Sequence, residues 1–448
     1  MKKWNPSTTQ IITGGFALAI LVGTLLLMLP FASADGNATG FLDALFTATT
    51  SICVTGLTTV TTAVHWSLFG KVIILLLIQL GGLGVITVVM LAFLALGKRM
   101  SMKDRMLIQD TYNMSGLSGT GSVIVRVAMG TFLMEGIGAF CYALVFVPEF
   151  GLAEGLWQSV FLAVSAFCNA GIDILGEASL SPYVGHLWIN VVTMVLITMG
   201  GLGFLVWWDV WDSRKTMHQT WFHRLRLHTK VVLTTTAFLI LVGTVLIFIF
   251  EHSNPATLGN MSLGEKWLAA LFQSVTFRTA GFFTVPQGEL AGGTLVMSFV
   301  WMLIGGSPAG TAGGIKTTTA AMVLFCVIAV IKGREDSQAF ERKIPQENIR
   351  SALTVLILGI MAALVGSLIL CATEPFALED ILFETVSAIG TVGLTRGITS
   401  ALSQMGKCVI IALMFMGRIG PITLVMALAS RNKGNKKIQF PEERILIG

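Results

Sequence analysis

The segment LFETVSAIGTVGL, residues 382–394, is one of four related segments in the chain. The other copies are LFTATTSICVTGL (45–57), VFLAVSAFCNAGI (160–172) and LFQSVTFRTAGF (271–282). Each copy has a glycine next to its last residue, and the four are Gly56, Gly171, Gly281 and Gly393. They are separated by 115, 110 and 112 residues, and such regular intervals predict an internal fourfold repeat.

An apolar span flanks each short segment on both sides. The preceding spans share a core in three repeats, LVGTLLLML from Leu21, LVGTVLIFI from Leu241 and LVGSLILCA from Leu364, whereas the span 123–147 lacks it. Glycines interrupt the following spans, as GGLG at 81–84 and 200–203, as GRIG at 417–420 and as GGSPAGTAGGIKTTT at 305–319. We therefore predict an all-α polytopic membrane protein with eight transmembrane helices and four re-entrant pore helices. The predicted units are 1–97, 98–211, 212–332 with a broken second helix, 333–429 and a cytoplasmic tail, 430–448.

Composition agrees with a membrane protein. Of 448 residues, 54% are hydrophobic and 12% are charged, against about 25% charged in an average soluble domain. If the N-terminus is cytoplasmic, about three quarters of the 29 lysine and arginine residues fall on the cytoplasmic side, which is a strong positive-inside bias. We expect both termini in the cytoplasm. Residues 32–34, ASA, resemble a signal-peptide cleavage site, but we expect a retained first span.

The short segments predict a pore. About twelve residues cannot span a bilayer as a helix, and irregular backbone at membrane depth is tolerated only where it lines a cavity or is buried in protein. Rings of backbone carbonyls replace the hydration shell of K⁺ in channel filters, and the TVG at 391–393 is close to the channel sequence TVGYG. The alternative is that the glycines allow close helix packing, which applies more strongly to the GGLG segments.

The segment 305–319 is unsuited to a continuous helix, because it contains Pro308 and five glycines. The charge pattern requires its span to cross the membrane an odd number of times, so we predict one broken helix. We expect the break to form a polar loop below the filter that obstructs the pore. Lys316 is placed to anchor the cytoplasmic end of this loop. Arg418, in the middle of the last span, either forms an electrostatic barrier or holds a neighbouring loop through its carbonyls.

These filter segments, the SPAGTAGGIKTTT run and the intramembrane Arg418 resemble the Ktr/Trk/HKT superfamily of potassium transporters, and the length and short tails are most similar to its KtrB-type membrane subunits. The resemblance covers nearly the whole chain. It implies four pseudo-symmetric repeats around one pore in the bacterial plasma membrane, a homodimer, and a cytosolic ring of RCK/KTN-type (KtrA-like) subunits that binds the regulatory nucleotide. The transported ion would be K⁺, with Na⁺ as a second candidate, and no organic cofactor is expected in this chain.

The resemblance also assigns site residues. Backbone ligands of K⁺ would be Cys53, Val54, Thr55, Gly56, Cys168, Asn169, Ala170, Gly171, Arg278, Thr279, Ala280, Gly281, Gly390, Thr391, Val392 and Gly393. The gate would comprise Gly305, Gly306, Ser307, Pro308, Ala309, Gly310, Thr311, Ala312, Gly313, Gly314, Lys316 and Arg418. No catalytic residue is expected.

The four copies differ from one another, so we expect an asymmetric pore. Arg278 lies three residues before its glycine, and we expect its side chain behind the filter, with Asp173 or Glu384 as partner. Ionisable residues inside the membrane are costly and usually functional. Glu135 either supports helix packing and the filter or takes part in conduction.

The leading function is a potassium pore, because the chain has no Walker or Rossmann motif and no cluster of catalytic residues. A Na⁺-coupled secondary transporter is the main alternative, since broken helices also occur there. An intramembrane enzyme is a weaker one. The basic loops 97–121 and 214–230 could lie on lipid headgroups or receive the regulatory ring, and we expect the tail to contact the dimer partner. No nucleic-acid partner is expected.

Overall fold

The computed structural model describes residues 7–96, 102–112, 120–214, 221–421 and 423–424. These residues are predominantly helical, with one small hairpin of two-residue strands. Together with the apolar character of the helices, this confirms an all-α polytopic membrane fold. The predicted contacts of the tail 430–448, and most of the loop 97–121, lie outside the described residues.

The helices are grouped around the four short repeated segments. The first repeat contains α1 (Thr8–Leu27), α2 (Phe41–Ile52), α3 (Thr62–His65), α4 (Leu68–Leu83) and α5 (Val85–Ala95), and α6 (Met102–Tyr112) follows it. The second contains α7 (Thr120–Phe150), α8 (Leu152–Cys168), α9 (Leu187–Leu202), α10 (Phe204–Ser213) and α11 (Trp221–Arg224). The third contains α12 (Leu227–Glu251), α13 (Leu263–Thr276), α14 (Gly292–Leu303) and α15 (Thr317–Ile331). The strands β1 (Gln338–Ala339) and β2 (Arg342–Lys343) precede the fourth, with α16 (Gln346–Thr373), α17 (Leu378–Gly390) and α18 (Gln404–Ile419). The predicted bounds of the units instead assign α6, α11 and the two strands to the second, third and fourth units, respectively.

The first helix of each repeat, α1, α7, α12 or α16, is long and apolar enough to cross a membrane. Its outward side chains are exposed in the protein alone; Leu241 is 65% exposed and Leu368 is 70% exposed. Leucine side chains in such numbers on a helix surface are stable when the surrounding solvent is hydrocarbon. These four helices therefore form the lipid-facing wall of the molecule.

The pore helices α2, α8, α13 and α17 are only 12 to 17 residues long, and their last turns are buried. The helix α13 begins with a capping box, in which Ser262 and Glu265 satisfy each other's backbone amides. The helices α8 and α17 end where Asn169 and Thr391 adopt left-handed conformations, with φ of 58° and 51°. A left-handed residue stops a helix because the chain direction reverses.

The second helices of the first two repeats bend sharply at glycine. Gly84 and Gly203 have φ of 84° and 88°, conformations that side-chain-bearing residues rarely adopt. The helices α4 and α5 meet at 94°, and α9 and α10 meet at 93°. The sequence predicted spans that are merely interrupted there. The two halves instead lie nearly at right angles, and each pair is long and apolar enough to cross a membrane only when its two helices are taken together.

The four repeats close into a ring through their second helices. Each of these helices packs on the pore helix of the next repeat: α4 on α8, α9 on α13, α14 on α17, and α18 on α2. Within each repeat the first helix packs on its own pore helix. The predicted boundaries at 97/98 and 429/430 lie outside the described residues, and the division into repeats stays a prediction.

Close approach at three glycines holds the second helices against the pore helices. A Cβ atom added to Gly81, Gly200 or Gly417 would lie 2.1, 2.0 or 2.1 Å from the carbonyl oxygen of Ile52, Phe167 or Ile389, respectively. Each of these carbonyls belongs to the last turn of a pore helix. Gly81 and Gly200 of the GGLG segments thus allow close helix packing, which was the alternative to a pore-lining role. The last glycines of the same segments, Gly84 and Gly203, permit the bend.

We predict that Gly417→Ala destabilises the protein, because its methyl group must displace the backbone at Ile389. Overpacking of this kind costs about 1–3 kcal/mol, which should lower the thermal unfolding midpoint of the purified protein in detergent. Gly136→Ala is the matched control: Gly136 also lies inside a helix, but nothing lies within 4 Å of its added Cβ. This control should unfold at the same temperature or higher. Equal midpoints for the two variants would contradict the packing argument.

Candidate functional site

The four repeat glycines meet in one ring. A Cβ added to Gly56 would lie 3.2 Å from the Cα of Gly171 and 3.1 Å from the Cα of Gly393. A Cβ added to Gly281 would lie 2.8 Å from the Cα of Gly171 and 3.5 Å from that of Gly393. Each glycine therefore adjoins the glycines of the two neighbouring repeats, and no side chain fits between them.

Four backbone carbonyls lie in the same ring. The added Cβ of each glycine would meet the carbonyl oxygen that precedes the glycine of the next repeat. The four pairs and distances are Gly56 and Ala170 (2.8 Å), Gly171 and Ala280 (2.7 Å), Gly281 and Val392 (2.8 Å), and Gly393 and Thr55 (2.1 Å). The pattern is cyclic, so the ring closes in the order of the sequence. The arrangement offers uncharged oxygen atoms, which suit a large monovalent cation.

In each of the four ring segments, two residues with one residue between them adopt left-handed backbone conformations. The residue two before each glycine has a positive φ: 47° at Val54, 58° at Asn169, 63° at Thr279 and 51° at Thr391. The glycines themselves have φ between 65° and 105°. In an ordinary strand successive groups point to opposite sides. The repeated left-handed conformation breaks that alternation in all four copies. Three of these four residues, Val54, Thr279 and Thr391, are β-branched, and such residues rarely adopt this conformation.

Hydroxyl groups below the ring hold this strained backbone, and sequence reasoning missed them. The hydroxyls of Thr50 and Ser387 accept hydrogen bonds from the amides of Gly56 (3.0 Å) and Gly393 (3.1 Å). Ser165 accepts from the amide of Ile172 at 3.1 Å. These three residues lie six positions before their glycines, so a recurring hydroxyl residue was a readable signal. In the third copy Thr276, five positions before the glycine, donates to the carbonyl of Phe282 instead.

Three further predicted filter residues, Cys53, Cys168 and Gly390, lie where the pore helices end, and their role as ion ligands stays a prediction. Cys53 and Cys168 are fully buried at the ends of α2 and α8. Gly390 is the last residue of α17, and its added Cβ would meet the carbonyl oxygen of Met302 at 2.3 Å. Gly390 therefore packs against the second helix of the third repeat.

Arg278 has neither of its two expected partners; its position behind the filter stays a prediction. Its guanidinium is 3.5 Å from the hydroxyl of Thr236 on α12. Asp173 instead accepts hydrogen bonds from Ser179 and from the amide of Leu175. Glu384 accepts from the hydroxyls of Thr395 and Thr399. Both carboxylates accept hydrogen bonds from loops of their own repeats, and no pattern in the sequence marks these pairs.

Glu135 is buried beside the second filter copy. Its carboxylate accepts a hydrogen bond from Gln79 on α4 at 3.2 Å and lies 3.7 Å from the sulfur of Cys168. The group therefore joins the first and second repeats immediately behind the filter backbone. This position favours the supporting role over a conducting one.

In the third repeat the loop 304–316 joins two helices, α14 and α15, and their forming one broken membrane span stays a prediction. The two ends of the loop meet, because the amide of Gly305 donates to Ile315 and the amide of Ile315 donates to Leu303, at 2.8 and 3.2 Å. The hydroxyls of Ser307 and Thr317 also meet, at 2.7 Å. These bonds satisfy polar groups that membrane depth would otherwise leave without partners.

Three backbone hydrogen bonds attach the loop to the bend in the second repeat. The amides of Ser307 and Thr311 donate to the carbonyls of Gly201 and Gly200, at 2.8 and 3.1 Å. The amide of Phe204 donates to the carbonyl of Ala309 at 3.0 Å. The bend at Gly203 exposes these carbonyls and amides, since helix bonding stops there. The loop thus pairs with backbone groups that the bend releases.

Two half-buried cations hold the loop. Arg418 donates to the carbonyl of Thr311 and, at 2.5 Å, to the carbonyl of Gly81. Lys316 donates to the carbonyl of Ala312 at 2.7 Å. Arg418 therefore ties the loop to the second helix of the first repeat, as one of the two predicted roles requires. The guanidinium of Arg418 remains positively charged while it donates these two hydrogen bonds.

Comparison with known proteins places this geometry in a family. Residues 6–436 match the family model described as "TrkH: Cation transport protein". The chain is 39% identical to the potassium/sodium uptake protein NtpJ of Enterococcus hirae, over 99% of this chain and 97% of that protein. It is also 39% identical to the Ktr system potassium uptake protein B of Bacillus subtilis, over 100% of this chain and 98% of that protein.

A solved structure shows the same fold. The crystal structure of the potassium transporter TrkH from Vibrio parahaemolyticus superposes with a TM-score of 0.74, covering 96% of this chain and 86% of that one, at 18% sequence identity. The family match spans nearly the whole length, and both relatives are similar from end to end. The chain belongs to the TrkH family of cation transport proteins.

Proposed function

We propose that this chain is the potassium-translocating pore subunit of a bacterial Ktr-type uptake system, with the glycine ring as its selectivity filter and the 304–316 loop as its gate. The observation that carries the proposal is the cyclic contact of four glycines with four backbone carbonyls. The names of the relatives, which are potassium uptake proteins, point to the same ion.

The ring suits K⁺ for a simple electrostatic reason. A cation that enters must lose part of its hydration shell, and carbonyl oxygens can replace the lost water. The ring itself contributes no charged side chain, so a bound ion is held strongly enough to enter and weakly enough to leave. The left-handed residues and the hydroxyls of Thr50, Ser165 and Ser387 fix the positions of these oxygens.

The 304–316 loop is suited to gating because it lies against the ring and is attached to the neighbouring repeats by hydrogen bonds, which can break and re-form. A Cβ added to Gly313 would be 2.1 Å from the hydroxyl of Thr391, so the loop contacts the filter directly. In this position it obstructs the path of an ion, and Arg418 adds electrostatic repulsion. Breaking the bonds to Gly200, Gly201 and Arg418 would free the loop to move aside.

The assembly that we propose follows from the system to which the relatives belong. The name "Ktr system" describes a protein with other components, and a cytosolic nucleotide-binding ring of the RCK/KTN type is the partner that we infer. A homodimer in the bacterial inner membrane, with both termini cytoplasmic, completes the proposal. The relatives are transporters, and we assign no enzymatic activity to this chain.

Sodium transport is the second candidate function. The Enterococcus relative is named as a potassium/sodium uptake protein, and the four filter copies differ at the left-handed position, where valine, asparagine and two threonines occur. An asymmetric ring discriminates ions of similar size less sharply than four equal copies. Uptake that depends on Na⁺, or a reversal potential that follows both ions, would favour a coupled or mixed transporter over a K⁺ uniporter.

Asp173 gives the outer end of the pore a titratable charge. It lies two residues beyond Gly171, half-buried in the loop that leads from the ring towards α9. Burial raises the pKa of its carboxyl to about 6, although hydrogen bonds from Ser179 and two backbone amides oppose this shift. The group is therefore ionised above about pH 6 and neutral below it. A negative charge there would raise the local concentration of cations.

Deletion of 310–314 should increase potassium flux through the protein in liposomes, because it removes the part of the loop that contacts the filter. The increase is measured as K⁺-dependent fluorescence or rubidium uptake in the absence of partner subunits. Thermal unfolding and gel filtration of the same preparation establish that the variant is folded. An unchanged flux through folded protein would remove the gate from the proposal.

Gly393→Ser should alter the preference for K⁺ over Na⁺, because its Cβ would collide with the Thr55 carbonyl in the ring. Gly397→Ser is the matched control. Gly397 has a similar φ of 99°, but nothing lies within 4 Å of its added Cβ. Relative permeability, measured from reversal potentials, should change only in the first variant. The filter assignment is wrong if Gly393→Ser is folded and keeps the wild-type ratio.

Lowering the external pH from about 7.5 to 5 should raise the K⁺ concentration needed for half-maximal uptake, because Asp173 becomes neutral around pH 6. Asp173→Asn should show the higher value throughout and lose most of the pH dependence. Glu177→Gln, which removes an exposed carboxylate from the same loop, should retain it. The same pH dependence in wild type and Asp173→Asn would rule out this charge as the cause.

A further inference from the structure

We propose that the hydroxyl of Thr311 couples the gate loop to the second filter copy, so that this residue influences ion selectivity as well as closure. The inference rests on the proposed function, in which the ring is the filter and the 304–316 loop is the gate. It adds a positioning residue that acts on the filter through Phe167 and Asn169.

The contact itself is short and buried. The hydroxyl of Thr311 donates to the carbonyl of Phe167 at 2.9 Å and lies 3.2 Å from Oδ1 of Asn169. Phe167 lies in the last turn of α8, where carbonyls have no partner within the helix. Asn169 is the left-handed residue two positions before Gly171. Thr311 therefore supports the backbone exactly where the pore helix becomes the filter.

The side-chain amide of Asn169 also supports a coupling between the loop and the second copy. Its Nδ2 is buried and has no hydrogen-bond partner among the described residues. Because the oxygen and nitrogen of an amide are interchangeable in position, a half-turn of the amide places Nδ2 beside Thr311. The hydroxyl would then donate to Phe167 and accept from Asn169. In either orientation the loop provides the polar contact of this side chain.

The position of Thr311 is fixed independently of its hydroxyl. Its amide donates to Gly200, and its carbonyl accepts from Arg418. A Cβ added to Gly200 would lie 2.6 Å from the Thr311 hydroxyl and 2.9 Å from Asn169 Oδ1, so the three residues converge at one point. The backbone bonds hold the loop in place, and the hydroxyl is what transmits its position to the filter.

The other copies lack an equivalent bond. The left-handed position is Val54 in the first copy, which has no polar group, and Thr279 and Thr391 in the third and fourth. The hydroxyls of these two threonines have no hydrogen-bond partner among the described residues. Among the described residues, the second copy is thus the one whose left-handed residue forms a side-chain hydrogen bond with the loop, whereas Gly313 only packs against Thr391. When the loop moves, this copy loses a hydrogen bond, and its carbonyl positions change relative to the other three.

The test compares two hydroxyls of the broken helix. Thr311→Val keeps the side-chain shape and removes the bond to the filter, whereas Thr317→Val removes only the bond to Ser307. We expect Thr311→Val to change the K⁺/Na⁺ permeability ratio about threefold or more, the effect of one hydrogen bond. Thr317→Val should alter the flux but leave the ratio at the wild-type value. Thr311→Ser, which retains the hydroxyl, should restore the ratio.

The coupling is overturned if Thr311→Val keeps the wild-type ratio, or if Thr317→Val shifts the ratio to the same extent. Failure of the gate itself is a separate result, namely unchanged flux after deletion of 310–314. Failure of the filter assignment is an unchanged ratio in Gly393→Ser. The three results can therefore be told apart.

A double-mutant cycle identifies the route. Asn169→Val introduces the residue that Val54 already provides at the equivalent left-handed position of the first copy. If Thr311 acts partly through Asn169, adding Thr311→Val to Asn169→Val should change the permeability ratio less than Thr311→Val does alone, and the remaining change reports the bond to the Phe167 carbonyl. Fully additive changes in the ratio would contradict this route.

Discussion

Every backbone amide and carbonyl at membrane depth needs a partner, and this requirement shapes the whole molecule. Four pore helices end in the middle of the protein, and their last carbonyls would be unsatisfied in hydrocarbon. The structure places these ends together, so that glycines of the second helices pack against them. Irregular backbone is thereby confined to one central ring and one loop. The long apolar helices surround both and keep them from lipid.

Glycine makes this arrangement possible in three different ways. Gly393 forms the ring, where a side chain would collide with the neighbouring repeat; Gly200 lets a second helix approach a pore helix; Gly203 allows a bend of 93°. The bend then exposes backbone groups that the 304–316 loop uses. The loop is therefore not an isolated insertion. It depends on the break in the second repeat, whose backbone groups it binds. Arg418 of the fourth repeat donates a further hydrogen bond to the loop, at the carbonyl of Thr311.

The sequence predicted those features that a repeated or an unusual pattern marks. The period of the glycines located the ring, and the loop was located by a different signal, a cluster of helix-breaking residues that occurs once, at 305–319. Thr50 and Ser387 each lie six residues before the glycine of their copy. This recurring position of a hydroxyl residue is visible in the sequence, but we did not predict its role. The partner of Arg278 could not be read, since Thr236 lies 42 residues away and nothing in the local sequence marks it. The bends were also beyond prediction, because glycine permits a sharp turn without requiring one.

The departures from fourfold symmetry have a consequence for gating. A symmetric ring would offer any loop four equivalent contacts, and a single loop would then have no preferred position. Here Asn169 provides the polar side chain that Thr311 engages, and Arg418 faces the loop from the fourth repeat. Only the third repeat carries an expanded break. Because the copies differ, the loop has a single preferred position in the ring of repeats. A pore built from four repeats can therefore be closed by one segment.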